Sequence, residues 1–240
     1  MMKTLVLVLA LMMVVGGTCV AATATYDLYQ GLSMISAPLV PFNPDPLSVY
    51  AGATDGLDYL LFRYDPSGGW VNYDAFAPEL FGGVLLGDGA TLTVLSAGVT
   101  ISYEGVPDGV PDMVAGVPVE GTMTDMWISL PGSTTDGIDA GGWHLVGQPF
   151  NHNTMVDPLG DASGSGILFT DGTTLKNWSE ACAASWVDGK MSTTDPINGA
   201  VDVQFDGWGG DDTLRAGKSY WLATYKDNLA MIVPAYAPAP

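Results

Sequence analysis

The sequence predicts an all-β protein: two tandem, duplicated, jelly-roll-like β-sandwich units behind a signal peptide. Three observations carry this. Of the 26 acidic residues 22 are Asp and only 4 Glu, and Asp favours turns and caps where Glu favours helices. Short alternating apolar segments recur between turn clusters, with 31 Gly and 16 Pro as punctuation. Finally, the same landmarks appear twice in the same order.

The first element is the leader, residues 1–24. Lys3 supplies a positive start, Leu5 to Val15 an uncharged apolar run, and Ala22-Thr23-Ala24 a small-x-small cleavage pattern. The run is shorter than the roughly 20 residues of a membrane span. Cys19 follows Gly16-Gly17-Thr18, which is not the context of a lipid anchor. Cleavage would leave one cysteine, Cys182, and therefore no intramolecular disulfide. In "EACAASW" it reads as a small buried residue, not a reactive thiol.

In the first unit, residues 25–107, alternation predicts strands over 32–36, 58–64, 69–73, 90–96 and 99–103, with a short helical turn over 74–81. A connecting segment covers 108–124. The second unit, 125–234, reads as strands over 125–130, 143–147, 166–170, 200–205, 219–225 and 229–233. A helical turn falls over 178–187, where Trp178, Cys182 and Trp186 stand at helical spacing. Residues 235–240 form a Pro/Ala-rich tail.

The duplication is legible residue by residue. Gly31, Leu32, Met34, Ile35, Pro38 and Leu39 correspond to Gly142, Trp143, Leu145, Val146, Pro149 and Phe150. Asp45-Pro46-Leu47 answers to Asp157-Pro158-Leu159. The run Leu86 to Leu92 matches Leu214 to Tyr220, and the units close on Val106-Pro107 and Val233-Pro234. In "GGWHLVGQPF" the glycines permit a tight entry, and Pro149 ends the strand because it cannot donate to a ladder.

Gly142 to Phe150 together with Leu214 to Leu222, G-W-x-L-[IV]-G-x-P-F followed by L-x-x-G-x-x-Y-W-[LV], resembles β-sandwich repeats of secreted surface proteins of Gram-negative bacteria. The first unit departs from the pattern with Leu32, Ser36 and Leu92-Thr93. The resemblance implies an adhesive or structural extracellular role and transfers no active-site residue.

Candidate chemistry is sparse. "DGWGGDDTLRAG" approaches a calcium-binding nonapeptide through Gly207, Gly210, Asp212 and Leu214, with Trp208 where a second Gly belongs. Such repeats share ligands between adjacent turns, so one copy reads better as a loop. Asp206, Asp211 and Asp212 remain a candidate calcium site, because a hard cation needs several oxygens and little else. His144 on a strand face and His152 in a loop lack companions for a transition-metal site. No nucleophile elbow, phosphate loop or Cys–His signature is present.

Among the aromatics, Trp127, Trp143 and Trp221 lie in alternating strands and read as core. Trp70, Trp178 and Trp208 lie in loop-like context and are the candidates for a sugar-stacking platform. The net charge of −19 repels nucleic acid and anionic lipid. The expectation is a secreted, non-enzymatic structural or adhesion protein of a bacterial surface or matrix. It has no cofactor unless calcium binds and inserts in no membrane after cleavage. Its partners are surface or matrix proteins or glycans, and self-association is open to it. The alternatives are a carbohydrate-binding module using loop Trp and Asp residues, and a secreted hydrolase.

Overall fold

A computed structural model describes residues 21–50, 58–96, 98–107, 113–114, 117–118, 125–132, 141–208 and 210–235. The leader up to residue 20, most of the 108–124 connection and the last five residues lie outside them. Among the described residues half are strand and 8% helix, which is the all-β class expected. The sheets are small and mainly antiparallel, and among the described residues none closes into a barrel.

In the first half, Gly31–Ser36, Gly89–Val94, Tyr59–Asp65 and Gly69–Asn72 lie side by side in that order. A second sheet pairs Ala22–Leu28 with Val99–Val106, which also takes Val40–Pro41. In the second half the order is Gly142–Gly147, Ser219–Thr224, Val187–Asp195 and Gly199–Gln204, extended by a parallel pairing with Gly210–Asp211. Its companion sheet runs Met126–Leu130, Leu229–Val233, Leu168–Thr170, Leu175–Asn177. Each half encloses its own apolar cluster. One centres on Leu61, Leu92 and Ile101, the other on Phe150, Trp178, Met191 and Leu222.

All eleven expected strands are present, within a few residues at their ends. Of the strands that were not expected, the two longest carry most weight. Ala22–Leu28 alternates half-buried and exposed residues, but three of its residues fall inside the expected leader. Ala22, Thr23 and Ala24 pair with Gly105, Glu104 and Tyr103, so the ladder includes residues that cleavage after Ala24 would remove. Val187–Asp195 is polar along most of its length, with Met191 as its fully buried anchor. Both expected helical turns are shorter than read, Pro78–Phe81 and Trp178–Ala183.

Strand register does not bear out the landmark alignment. Leu92 lies opposite Ser33 and Leu222 opposite His144, so with Ser33 set against His144, Leu92 stands where Leu222 does, not Tyr220. The sequence match of Leu86–Leu92 to Leu214–Tyr220 is thus two residues out. Side chains alternate with period two, so a slip of two leaves every residue on its face and the pattern unchanged. A shift of two sets Gly87 against Gly217, and both adopt left-handed backbone, φ 78° and 76°. The Val-Pro endings also fail to coincide. Measured from Leu28 and Leu130, Val233 occupies the place of Tyr103.

The two halves meet where the ends of these strands cross. Ser36 N–H donates to Gly217 O at 3.0 Å, and Gly147 N–H donates to Gly87 O at 2.9 Å. Isolated bridges join Ile35 to Lys218 and Val146 to Asp88. The buried Ser36 hydroxyl sits 2.9 Å from the Gln148 and Lys218 carbonyl oxygens. At this crossing Gly147 has no room for a side chain: a Cβ there would lie 2.5 Å from Ser36 Cβ and 2.6 Å from Asp88 O.

Candidate binding surface

The strands Gly142–Gly147 and Ser219–Thr224 set Trp143 opposite Ala223 and Leu145 opposite Trp221. Directly opposed residues of an antiparallel pair share a face, so Trp143, Leu145 and Trp221 point the same way. In the first half, Tyr64 lies opposite Trp70 and Phe62 opposite Asn72. The crossing of the halves brings these two faces together.

The result is a row of five rings. Trp221 is central, with centroids 5.0 Å from Tyr64, 5.5 Å from Trp70 and 6.2 Å from Trp143. Tyr64 and Trp70 are 5.5 Å apart, and Phe62 follows Trp70 at 6.2 Å. Every contact is edge-to-face, the geometry that aligns a ring's positive edge with its neighbour's negative face. Although the rings brace one another, Trp70 and Trp143 remain 54% and 55% exposed.

Beside the row lies an open cleft of about 250 Å³, lined by Arg63, Tyr64, Asp65, Pro66, Asp88, Gly89, Pro131 and Leu145. Burial pushes the Asp88 carboxyl above its usual range, with Arg63 opposing the shift. Asp65 is held below its usual range by the Ser67 hydroxyl and by the backbone of Ser67 and Gly68.

The sequence-derived candidates fare unevenly. Trp70 belongs to the row, on a strand and not in a loop. Trp178 is fully buried and its indole N–H donates to Asp188 O at 2.8 Å, so it cannot be a platform. The helix that seats it is fixed by a reciprocal capping box between Asn177 and Glu180. Trp208 is 86% exposed and edges a separate cleft of about 410 Å³ with Asp157, Leu159, Asp206 and Asp212.

Trp127 and Trp143, expected in the core, are 59% and 55% exposed. In Gly142–Gly147 burial changes along the strand more than across it: the last four residues are covered on both faces while Gly142 and Trp143 are not. Gly31–Ser36 shows the same gradient, which alternation alone does not reveal.

The three candidate calcium ligands have different duties. Asp211 pairs with Arg215 at 2.8 Å, Asp212 accepts from the Thr213 hydroxyl at 2.7 Å, and Asp206 accepts from Trp208 N–H at 3.0 Å. Among the described residues, no three His, Cys, Asp or Glu are grouped to hold a metal.

His144 is buried beside Thr224, Nε2 to Oγ1 3.2 Å, and burial lowers its pKa to about 4. His152 stacks flat on Phe150, centroids 5.2 Å apart. Burial, then Asp188, pushes the Cys182 thiol up to about 11, far from the depressed value a nucleophilic thiolate requires.

Compared with protein-family models, with curated proteins and with solved structures, the chain matches none.

Proposed function

We propose that the chain is a secreted structural or adhesion protein of a bacterial surface or matrix, a tandem of two related β-sandwich units whose leader is removed on export. The observation that carries the reading is the ring row: five aromatic side chains from both halves packed edge-to-face, with Trp70 and Trp143 open to solvent. Clustered exposed aromatics mark contact surfaces. The tandem reading is supported by the repeated sheet order, by the matched left-handed glycines and by the reciprocal bonds at the crossing. These are contacts of the kind two copies make about a two-fold axis. The likeness of Gly142 to Phe150 to surface-protein repeats points the same way.

The test is adhesion. Beads coated with the purified chain should adhere to the surface or matrix of the producing cells, and Trp143→Ala and Trp70→Ala should release most of them. Beads that never adhere, or protein confined to the cytoplasm with its N-terminus intact, would refute the proposal.

A further inference from the structure

The chemistry around the ring row narrows what it holds. A sugar ring offers two kinds of surface, C–H faces that pack on aromatic rings and hydroxyls that need hydrogen-bond partners. Both needs are met side by side. Trp143, Trp221, Tyr64 and Trp70 provide the apolar track. Tyr64 and Leu145 also line the adjoining cleft, together with Arg63, whose guanidinium lies over the Phe81 ring, and Asp88.

Size and charge select among ligands. Pockets that enclose a small ligand measure roughly 300–1,000 Å³, and this open cleft holds only about 250 Å³. A chain lying across the rings, with single groups reaching into the cleft, suits it better than an engulfed molecule. The net charge of −19 disfavours polyanions, and equally a second copy of this chain. Because the rings already hold one another edge-to-face, little freedom remains to be lost on binding. The cleft at Trp208 offers a single ring, and its Asp157 is committed to the Ala162 and Gly164 N–H groups.

We infer that the ring row and the adjoining Arg63–Asp88 cleft form one binding site for a neutral polysaccharide chain. The inference rests on the reading of the row as the protein's contact surface, and makes that contact a glycan.

Affinity electrophoresis of the full chain tests it, in gels containing a soluble β-glucan, mannan, xylan or starch, with alginate as the polyanion. The expected result is retardation by at least one neutral polymer and none by alginate. Trp143→Ala and Trp70→Ala should weaken it at least tenfold, and Trp208→Ala should leave it unchanged. Dependence on Trp208 instead, or retardation by alginate alone, would overturn the assignment. So would a concentration-dependent dimer in sedimentation that Trp143→Ala abolishes, since a second copy would then occupy the face. No retardation by any neutral polymer, with bead adhesion still dependent on Trp143, would remove the glycan and leave the adhesive reading standing.

Discussion

Replacing Gly147 by alanine places one methyl group at the crossing of the halves, where the structure leaves no space for it. The new Cβ would meet Ser36 Cβ at 2.5 Å and the Asp88 carbonyl oxygen at 2.6 Å. The second of these is backbone and cannot rotate away. Forcing a methyl into packed structure destabilises by about 1–3 kcal/mol. Displacing the Ser36 hydroxyl from the Gln148 and Lys218 carbonyls adds about 1 kcal/mol. A loss of about 3 kcal/mol should lower Tm by about 6–12 °C, at about 2–4 °C per kcal/mol for a domain of 150–250 residues. Differential scanning calorimetry measures it. Gly68→Ala is the control, since the nearest atom to its added Cβ is 3.8 Å away, and it should change stability by less than about 0.5 kcal/mol. Adding Ser36→Gly to Gly147→Ala should recover part of the loss, because it clears the side-chain contact and leaves the backbone one. A Gly147→Ala protein that melts within a degree of the parent would show that the halves do not cross as described.

Three further outcomes follow, two from single side chains and one from the net charge of −19. His144 is neutral when folded, with pKa about 4 against about 6.5 unfolded. Its contribution is therefore full above pH 6.5 and disappears as pH falls toward 4, about 3 kcal/mol in all. The stability difference between pH 7.5 and 4.5, from urea unfolding, should shrink by about that much in His144→Gln, and equal losses in both proteins would refute it. Trp178→Ala should destabilise by about 3–5 kcal/mol, since the ring is fully buried, whereas Trp208→Ala should stay within about 0.5 kcal/mol; urea midpoints decide. Tm should rise with ionic strength as the Debye length falls to about 10 Å near 0.1 M salt. Calcium should act no differently from sodium at equal ionic strength, and a large shift at micromolar calcium, lost in Asp212→Ala, would restore that loop as an ion site.

What could be read from the sequence was what depends on local pattern. The strand Leu229–Val233 and the hairpin Tyr59–Asp65/Gly69–Asn72 follow from alternation and from Asp65-Pro66-Ser67-Gly68. Val187–Asp195 escaped because its place in the sheet depends on Met191 and on neighbouring ladders, not on its own composition. Trp178 was misplaced although Asn177 and Glu180 announce a helix start three residues apart. That signal sets the tryptophan in the first turn, against the core. The ring row was half legible. Trp70 was singled out on its own, and Tyr64 stands opposite it in the same hairpin, while Trp143 and Trp221 join them only through the crossing of two sheets, which no stretch of sequence contains.

The pairing of first and last strands in each half bears on how such a chain can be delivered. Ala22 waits for Gly105, and Met126 for Val233. A polypeptide emerging N-terminus first, from a ribosome or across a membrane, therefore holds Ala22–Leu28 without its ladder until residue 106 has followed. The strand Met126–Leu130 then waits for nearly all of the second half. An unmated strand offers its N–H and C=O groups to any neighbour, and contacts this distant in sequence are slow to close. The interval between emergence and closure is when this protein is exposed to misassembly, and it ends twice: once at Val106, and again at Val233.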